Sequence, residues 1–132
     1  MDNNLREVGL GNKETEDRKP LKILLVEDDE SVPPLIERVL KDHNVTTFTT
    51  AEEALDALRR SREAGISFDW VITDRGLAGK MDGFGLTALI KSDKLGKPFV
   101  TMLTGSAAEI RAGTSAEELR EKGIHQLMGK PF

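Results

Sequence analysis

Short apolar runs and amphipathic stretches alternate along most of this chain. A short apolar run followed by a turn residue is typical of a strand buried inside a sheet. Five runs fit this description, at residues 21–26, 45–49, 68–73, 99–103 and 127–129. Apolar residues at helical spacing predict four helices, over residues 33–41, 51–64, 84–95 and 115–123. Strands that alternate with helices predict a parallel α/β sheet, because each return crossover needs a helix.

Capping residues indicate where three of these helices begin. Ser31 is predicted to cap the first helix, ahead of prolines that a first helical turn tolerates. Thr50 with Glu53, and Ser115 with Glu118, have the spacing of a capping box, in which each residue bonds the other's backbone N–H. These pairs predict the starts of the second and fourth helices.

Two segments lack a periodic pattern. Residues 1–20 are polar and mixed in charge, which predicts a disordered leader before a single domain at residues 21–132. Residues 105–113 are predicted to form an unusually long polar loop after the fourth strand. Such a loop is either a tolerated surface insertion or an element that docks a partner.

Composition excludes several classes of function. A net charge of −4 and a pI near 5.3 argue against direct nucleic-acid binding by general electrostatics. The chain has no cysteine, which excludes disulfides and thiolate metal sites. No apolar stretch approaches the roughly 20 residues that span a bilayer. We therefore expect a cytoplasmic protein with no membrane partner.

Polar groups follow four of the predicted strands. Carboxylates follow the first strand (Glu27 and Asp28) and the third strand (Asp74). The hydroxyl of Thr104 follows the fourth strand, and the ammonium group of Lys130 follows the fifth. Parallel α/β sheets present functional groups at the carboxyl ends of their strands, so these groups are expected to form a cation and phosphate site. The sequence has neither a P-loop nor a dinucleotide-binding glycine motif after the first strand.

These motifs, in this order, resemble the receiver domain of two-component response regulators. The matching segments are Ile23-Leu24-Leu25-Val26-Glu27-Asp28-Asp29, Asp74 with Met81-Asp82-Gly83, Leu103-Thr104-Gly105, and Lys130-Pro131-Phe132. The resemblance covers residues 21–132. It implies a flavodoxin-like, doubly wound, five-stranded parallel sheet of order 2-1-3-4-5, with strands 1 and 3 at the topological switch point. It also implies a signalling module rather than a conventional enzyme.

The resemblance assigns the acceptor and the metal ligands. Asp74 is implied to be the phosphoacceptor, receiving a phosphoryl group from a histidine kinase or a histidine phosphotransfer protein. Mg²⁺ is implied as the cofactor, with Mn²⁺ as the alternative, because hard cations prefer oxygen ligands. Its implied ligands are Asp28, Asp74 and the main-chain carbonyl of Gly76, with Glu27 acting through water.

The resemblance also assigns the groups that bind the phosphoryl oxygens. Lys130 is implied to pair with one oxygen as a point charge, and Thr104 to donate its hydroxyl to another and carry the switch. Gly105 leaves room beside the phosphoryl group. The peptide bond before Pro131 is expected to be cis, as is usual in the family. Signalling would proceed through contacts with a downstream protein that the sequence does not name.

The sequence departs from the family pattern in three places. Ala78 replaces the usual proline after the acceptor, in a loop one residue longer than the common form, and Leu127 replaces the usual aromatic residue. The usual fifth helix would follow Phe132, where this sequence ends. A fragment, a folded leader or another subunit would each explain this, and a naturally short chain would self-associate through the open sheet face. An alternative function is therefore a pseudo-receiver that works as an interaction module without phosphorylation.

A small residue on each side of the acceptor site gives a further expectation. Gly76 and Ser106 leave a path for an attacking water molecule, so we expect the acyl phosphate to be short-lived. A third function, an α/β phosphohydrolase with an aspartyl intermediate, is disfavoured because the chain lacks the D-x-D placement after its first strand.

Overall fold

The computed structural model describes residues 19–130. Its five strands are β1 (Lys22–Val26), β2 (Asn44–Phe48), β3 (Trp70–Asp74), β4 (Phe99–Thr104) and β5 (Gln126–Gly129). Its helices in that range are α1 (Pro33–Val39), α2 (Ala51–Glu63), α3 (Gly83–Ser92), α4 (Ala107–Gly113) and α5 (Ala116–Glu121). Most of the predicted leader, and the predicted cis peptide at Pro131, lie outside the described residues. None of the described helices is long and apolar enough to cross a membrane.

The strands form one parallel sheet in the order β2-β1-β3-β4-β5, which confirms the predicted order. Val26 pairs with Thr73, and Asp74 pairs with Leu103. Strands in this register end together at one edge of the sheet. The order reverses between β1 and β3, which is where an open α/β sheet leaves a crevice for ligands.

The sheet has a core on each face because successive side chains of a strand point to opposite sides. Leu24 and Val26 of β1 contact the buried side chains of α2 and α3, while Ile23 and Leu25 lie on the side of α1. A third cluster joins the far end of the sheet to α4 and α5 through Met102, Ala107, Leu119, Ile124 and Leu127. These clusters fix the strands whose ends carry the candidate site.

Helix α1 covers its face of the sheet incompletely within residues 19–130. Ile36 is its one buried residue, while Val39 is 80 % exposed, although the sequence pattern placed both on the inner face. Apolar side chains of α1, β3, β4 and β5 line an open groove of about 380 Å³ beside it. The predicted cap was also wrong: the N-cap is Val32, and the Ser31 hydroxyl bonds Asp29 instead. Self-association through this face stays a prediction.

The predicted long loop at residues 105–113 is wrong, because residues 107–113 form helix α4. The chain therefore has five helices in its described part, rather than the four predicted. Ala107 is buried, Ile110 packs against the third cluster, and the Arg111 guanidinium donates to the main-chain carbonyl of Leu127. A helix this short gains most of its stability from such packing, which a sequence pattern of two apolar positions does not reveal.

The two predicted capping boxes differ in outcome. Ser115 and Glu118 form the reciprocal pair of bonds at the start of α5, as predicted. At the start of α2, the Thr50 hydroxyl accepts from the N–H of Glu53, but the Glu53 carboxylate bonds the hydroxyls of Thr49 and Thr50. The capping box predicted for Thr50 and Glu53 is therefore only half confirmed.

Candidate functional site

Three carboxylates converge where β1 and β3 end. Oxygens of Glu27, Asp28 and Asp74 lie within 4.8 Å of one another, close enough to hold one metal ion. Glu27 is 1 % exposed and Asp74 is 9 % exposed, whereas Asp28 faces solvent. Three carboxylate oxygens form the hard donor set that Mg²⁺ prefers, with an open side on which the ion can keep its water molecules. The residues present therefore fit a divalent cation.

Lys130 links two of these carboxylates. Its ammonium nitrogen lies 2.8 Å from Oε1 of Glu27 and 3.1 Å from Oδ1 of Asp74. Burial raises the pKa of Glu27, and the hydrogen bond from Lys130 only partly opposes this effect. Burial also works against the charge of Lys130, but its bonds to Glu27 and Asp74 outweigh that effect and raise its pKa above the ordinary value. Lys130 therefore stays charged beside two closely spaced carboxyl groups.

Thr104 lies at the end of the neighbouring strand β4 and is almost fully buried. Its hydroxyl oxygen accepts from the N–H of Ser106 at 3.1 Å, and its carbonyl accepts from the N–H of Lys130 at 2.9 Å. The main chains of the two residues are therefore held together. A Cβ added at Gly105 or at Gly76 would meet no described atom within 4 Å, so the space beside both glycines is open.

The loop after Asp74 is tied to the rest of the site by its backbone. The N–H of Ala78 donates to Oδ2 of Asp28 at 3.0 Å, which orients one of the three carboxylates. At the far end of the loop, Asp82 caps α3 and the N–H of Gly83 donates to the carbonyl of Arg75. A Cβ at Gly83 would lie 2.2 Å from the main-chain oxygen of Asp74. Only glycine lets α3 start so close to the end of β3.

The match to known proteins agrees with this arrangement. The family model described as response regulator receiver domain matches residues 23–132. The chain belongs to this family. Receiver domains are signalling modules of two-component systems rather than conventional enzymes. The acidic cluster and Lys130 lie within the matched residues.

Individual relatives are similar over most of the chain. The chemotaxis protein CheY-3 of Vibrio cholerae is 29 % identical over 115 residues, which cover 86 % of this chain and 83 % of that protein. The structure of a putative response regulator from Chloroflexus aurantiacus has a TM-score of 0.69 at 28 % identity, covering 86 % of this chain and 88 % of that one. The chemotaxis protein CheY4 of Vibrio cholerae has a TM-score of 0.69 at 25 % identity, covering 86 % and 89 %.

The structure brings together four of the predicted site residues through side-chain contacts or short separations: Glu27, Asp28, Asp74 and Lys130. Thr104 joins them through the backbone of Lys130, while Gly76 and Gly105 contribute open space. Sequence reasoning missed the roles of Ala78 and of Glu52, whose carboxylate accepts from two N–H groups of the loop after Asp74. Glu52 gave only the signal of an acidic first-turn residue, which helices commonly have.

Proposed function

We propose that this receiver domain accepts a phosphoryl group on Asp74 from the phosphohistidine of a histidine kinase or a histidine phosphotransfer protein. The observation that carries the proposal is the geometry around Asp74. Its largely buried carboxylate ends the central strand β3, touches Lys130 at 3.1 Å and lies within 4.8 Å of two further carboxylates. Such a group is a nucleophile in a site that can compensate the charge of a phosphoryl group.

The transfer forms one bond and breaks another. A carboxylate oxygen of Asp74 attacks the phosphorus atom, the P–O bond of an acyl phosphate forms, and the P–N bond to histidine breaks. The departing ring nitrogen keeps the electron pair of that bond. Phosphoryl transfer depends mainly on in-line positioning and charge compensation, so the chain needs no separate general base for this step.

Glu27, Asp28 and Asp74, with the carbonyl of Gly76, are the groups that would hold Mg²⁺ or Mn²⁺. When bound, the ion supplies positive charge between the anionic nucleophile and the anionic phosphoryl group. Asp28 is oriented by the N–H of Ala78, and Glu27 is held by Lys130. Lys130 also contacts Asp74, so the chain holds all three carboxylates through contacts that do not involve the ion.

Lys130 and Thr104 would bind the phosphoryl oxygens. Lys130 already contacts Asp74, so a phosphoryl group there comes within reach of its ammonium group. The hydroxyl of Thr104 accepts from Ser106, which leaves its proton to donate to a phosphoryl oxygen. Open space beside Gly76 and Gly105 would admit water, so we expect a short-lived acyl phosphate. A half-life of many hours in Mg²⁺ would contradict that expectation.

A second candidate is a pseudo-receiver that binds its partner without phosphorylation. Leu127 favours it, because this residue is buried in the third cluster with Met102 and has no polar group to couple to Thr104. A switch that relies on an aromatic residue at this position cannot work in the same way here. Both candidates signal through contacts with a downstream protein.

Intact mass after incubation with acetyl phosphate separates the two candidates. We expect the wild-type chain to gain one phosphoryl group with Mg²⁺ and none with a chelator. Asp74→Asn should gain none, whereas Asp56→Asn should behave as wild type, since Asp56 pairs with Arg60 on the surface of α2. Absence of an adduct, even when read quickly and after trapping with beryllofluoride, would refute the phosphoacceptor role and favour the pseudo-receiver.

A further inference from the structure

We propose that Glu52 is a positioning residue that holds the loop after the phosphoacceptor, residues 75–82, in the shape that the site requires. This inference rests on the proposed function, because the loop matters through Asp74 and through the carbonyl of Gly76. Glu52 lies in the first turn of α2, on a different element from the predicted site residues.

The Glu52 carboxylate is bound by backbone N–H groups of this loop. Its Oε2 accepts from the N–H of Lys80 at 3.2 Å and from the N–H of Met81 at 3.1 Å. Its Oε1 lies 3.1 Å from the position that a Cβ on Gly79 would occupy. Gly79 has a φ of +97°, a backbone conformation that residues other than glycine rarely adopt. The loop is therefore shaped to place two backbone donors and a bare Cα against one carboxylate.

A second carboxylate, that of the candidate metal ligand Asp28, accepts from the N–H of Ala78 in the same loop. Thr50 and Ala78 also form an isolated parallel bridge, which joins the start of α2 to the same part of the loop. Two carboxylates therefore bind the loop backbone, Asp28 at Ala78 and Glu52 at Lys80 and Met81. Asp28 is also a candidate metal ligand, whereas Glu52 belongs to α2 and bonds the loop without taking part in the acidic cluster.

The sequence shows why this loop needs an external restraint. None of residues 75–82 is a proline, which would fix φ near −65° without any partner. Two of them, Gly76 and Gly79, are glycines, which leave the backbone conformationally free. Hydrogen bonds to an ionised acceptor are about twice as strong as neutral ones, so the Glu52 carboxylate can supply the missing restraint.

The alternative role for Glu52 is a favourable interaction with the positive end of the α2 dipole. Glu53 is the matched control, because it has the same charge in the same first turn. Its carboxylate bonds the hydroxyls of Thr49 and Thr50 and does not bond the described part of the acceptor loop. Glu52→Asp adds a second control, since it keeps the charge but withdraws the carboxylate by one methylene group.

The experiment measures amide hydrogen exchange in metal-free protein and the dissociation constant of Mg²⁺ for each variant. We expect Glu52→Gln and Glu52→Asp to speed exchange at Lys80 and Met81 by about five- to tenfold. We also expect both variants to weaken Mg²⁺ binding several-fold. Glu53→Gln should match the wild type in both measurements and should lower only the overall stability in urea unfolding, because it weakens the bonds to Thr49 and Thr50.

Three results would overturn the inference. Unchanged exchange at Lys80 and Met81 in Glu52→Gln would mean that the bonds do not restrain the loop. Equal weakening of Mg²⁺ binding by Glu52→Gln and Glu53→Gln would assign the effect to helix charge. Normal Mg²⁺ binding by Glu52→Asp would show that carboxylate position is unimportant. Failure of the proposed function looks different, because the wild-type protein itself would then take up no phosphoryl group.

Discussion

The start of α3 against the acceptor strand makes Gly83→Ala the most demanding test of this structure. The added Cβ would lie 2.2 Å from the carbonyl oxygen of Asp74 and 2.9 Å from the Cα of Arg75. Real Cβ atoms essentially never come closer than 3.0 Å to another heavy atom, so the main chain of Asp74 must retreat by about 0.8 Å. No side-chain rotation can relieve the contact, because both neighbouring atoms belong to the backbone.

The expected loss of stability follows from two opposing effects. Overpacking a close contact costs about 1–3 kcal/mol, and a backbone contact that cannot rotate away places this case near the upper end. Replacing glycine by alanine at a compatible site stabilises by about 0.4–1 kcal/mol through the unfolded chain. We therefore expect the free energy of unfolding to fall by about 2 kcal/mol. Misplacement of a reacting group by about 1 Å can slow a reaction by about a hundredfold, so phosphorylation of Asp74 should slow strongly.

Urea unfolding measures the change in the free energy of unfolding. It can be followed by the fluorescence of Trp70, because this is the only tryptophan in the chain. With an m-value of about 1–3 kcal/mol per molar urea, the midpoint should fall by roughly 1 M. Gly113→Ala is the matched control, because a Cβ there meets no described atom within 4 Å and its φ is not left-handed. That variant should be as stable as the wild type or slightly more stable.

A Gly83→Ala protein with the wild-type urea midpoint and a normal phosphorylation rate would refute this reasoning. It would mean that α3 does not start against the main chain of Asp74 in solution. Equal effects of Gly83→Ala and Gly113→Ala on the free energy of unfolding would refute it as well, since the two sites differ in the space around the glycine.

Two further predictions concern charge. Asp28→Asn removes one of three clustered carboxylates, so at low salt it should raise the melting temperature of the metal-free protein. It should also abolish the increase in melting temperature that Mg²⁺ gives to the wild type. An increase equal to that of the wild type would contradict the role of Asp28 as a ligand. Hydrogen bonds from Ser115 lower the pKa of Glu118 below its ordinary value of 4.5, so their stabilisation is present above pH 4.5 and is lost as the pH falls through the lower folded value. Glu118→Gln should therefore flatten the loss of stability below pH 4.5 in acid unfolding, while Glu117→Gln, outside the capping box, should not.

The sequence by itself determined the strands and the polar groups that follow them. Buried parallel strands are continuous apolar runs, and the polar residues that follow them stand out, as Glu27, Asp74 and Lys130 do. The order of the strands came from the resemblance to the family, since apolar runs do not state which strands are neighbours. Once that order is known, the ends of β1, β3 and β5 must meet at one edge of the sheet.

The tertiary structure decided what depends on contacts between distant residues. Helix α4 forms because Ala107 and Ile110 pack on the third cluster, whereas Val39 stays exposed although its spacing matches an inner face. Glu52 reaches the acceptor loop, and Gly83 touches Asp74, because the sheet sets their helices at particular distances. Periodicity encodes which side of an element is apolar, but it does not encode what the fold places opposite that side.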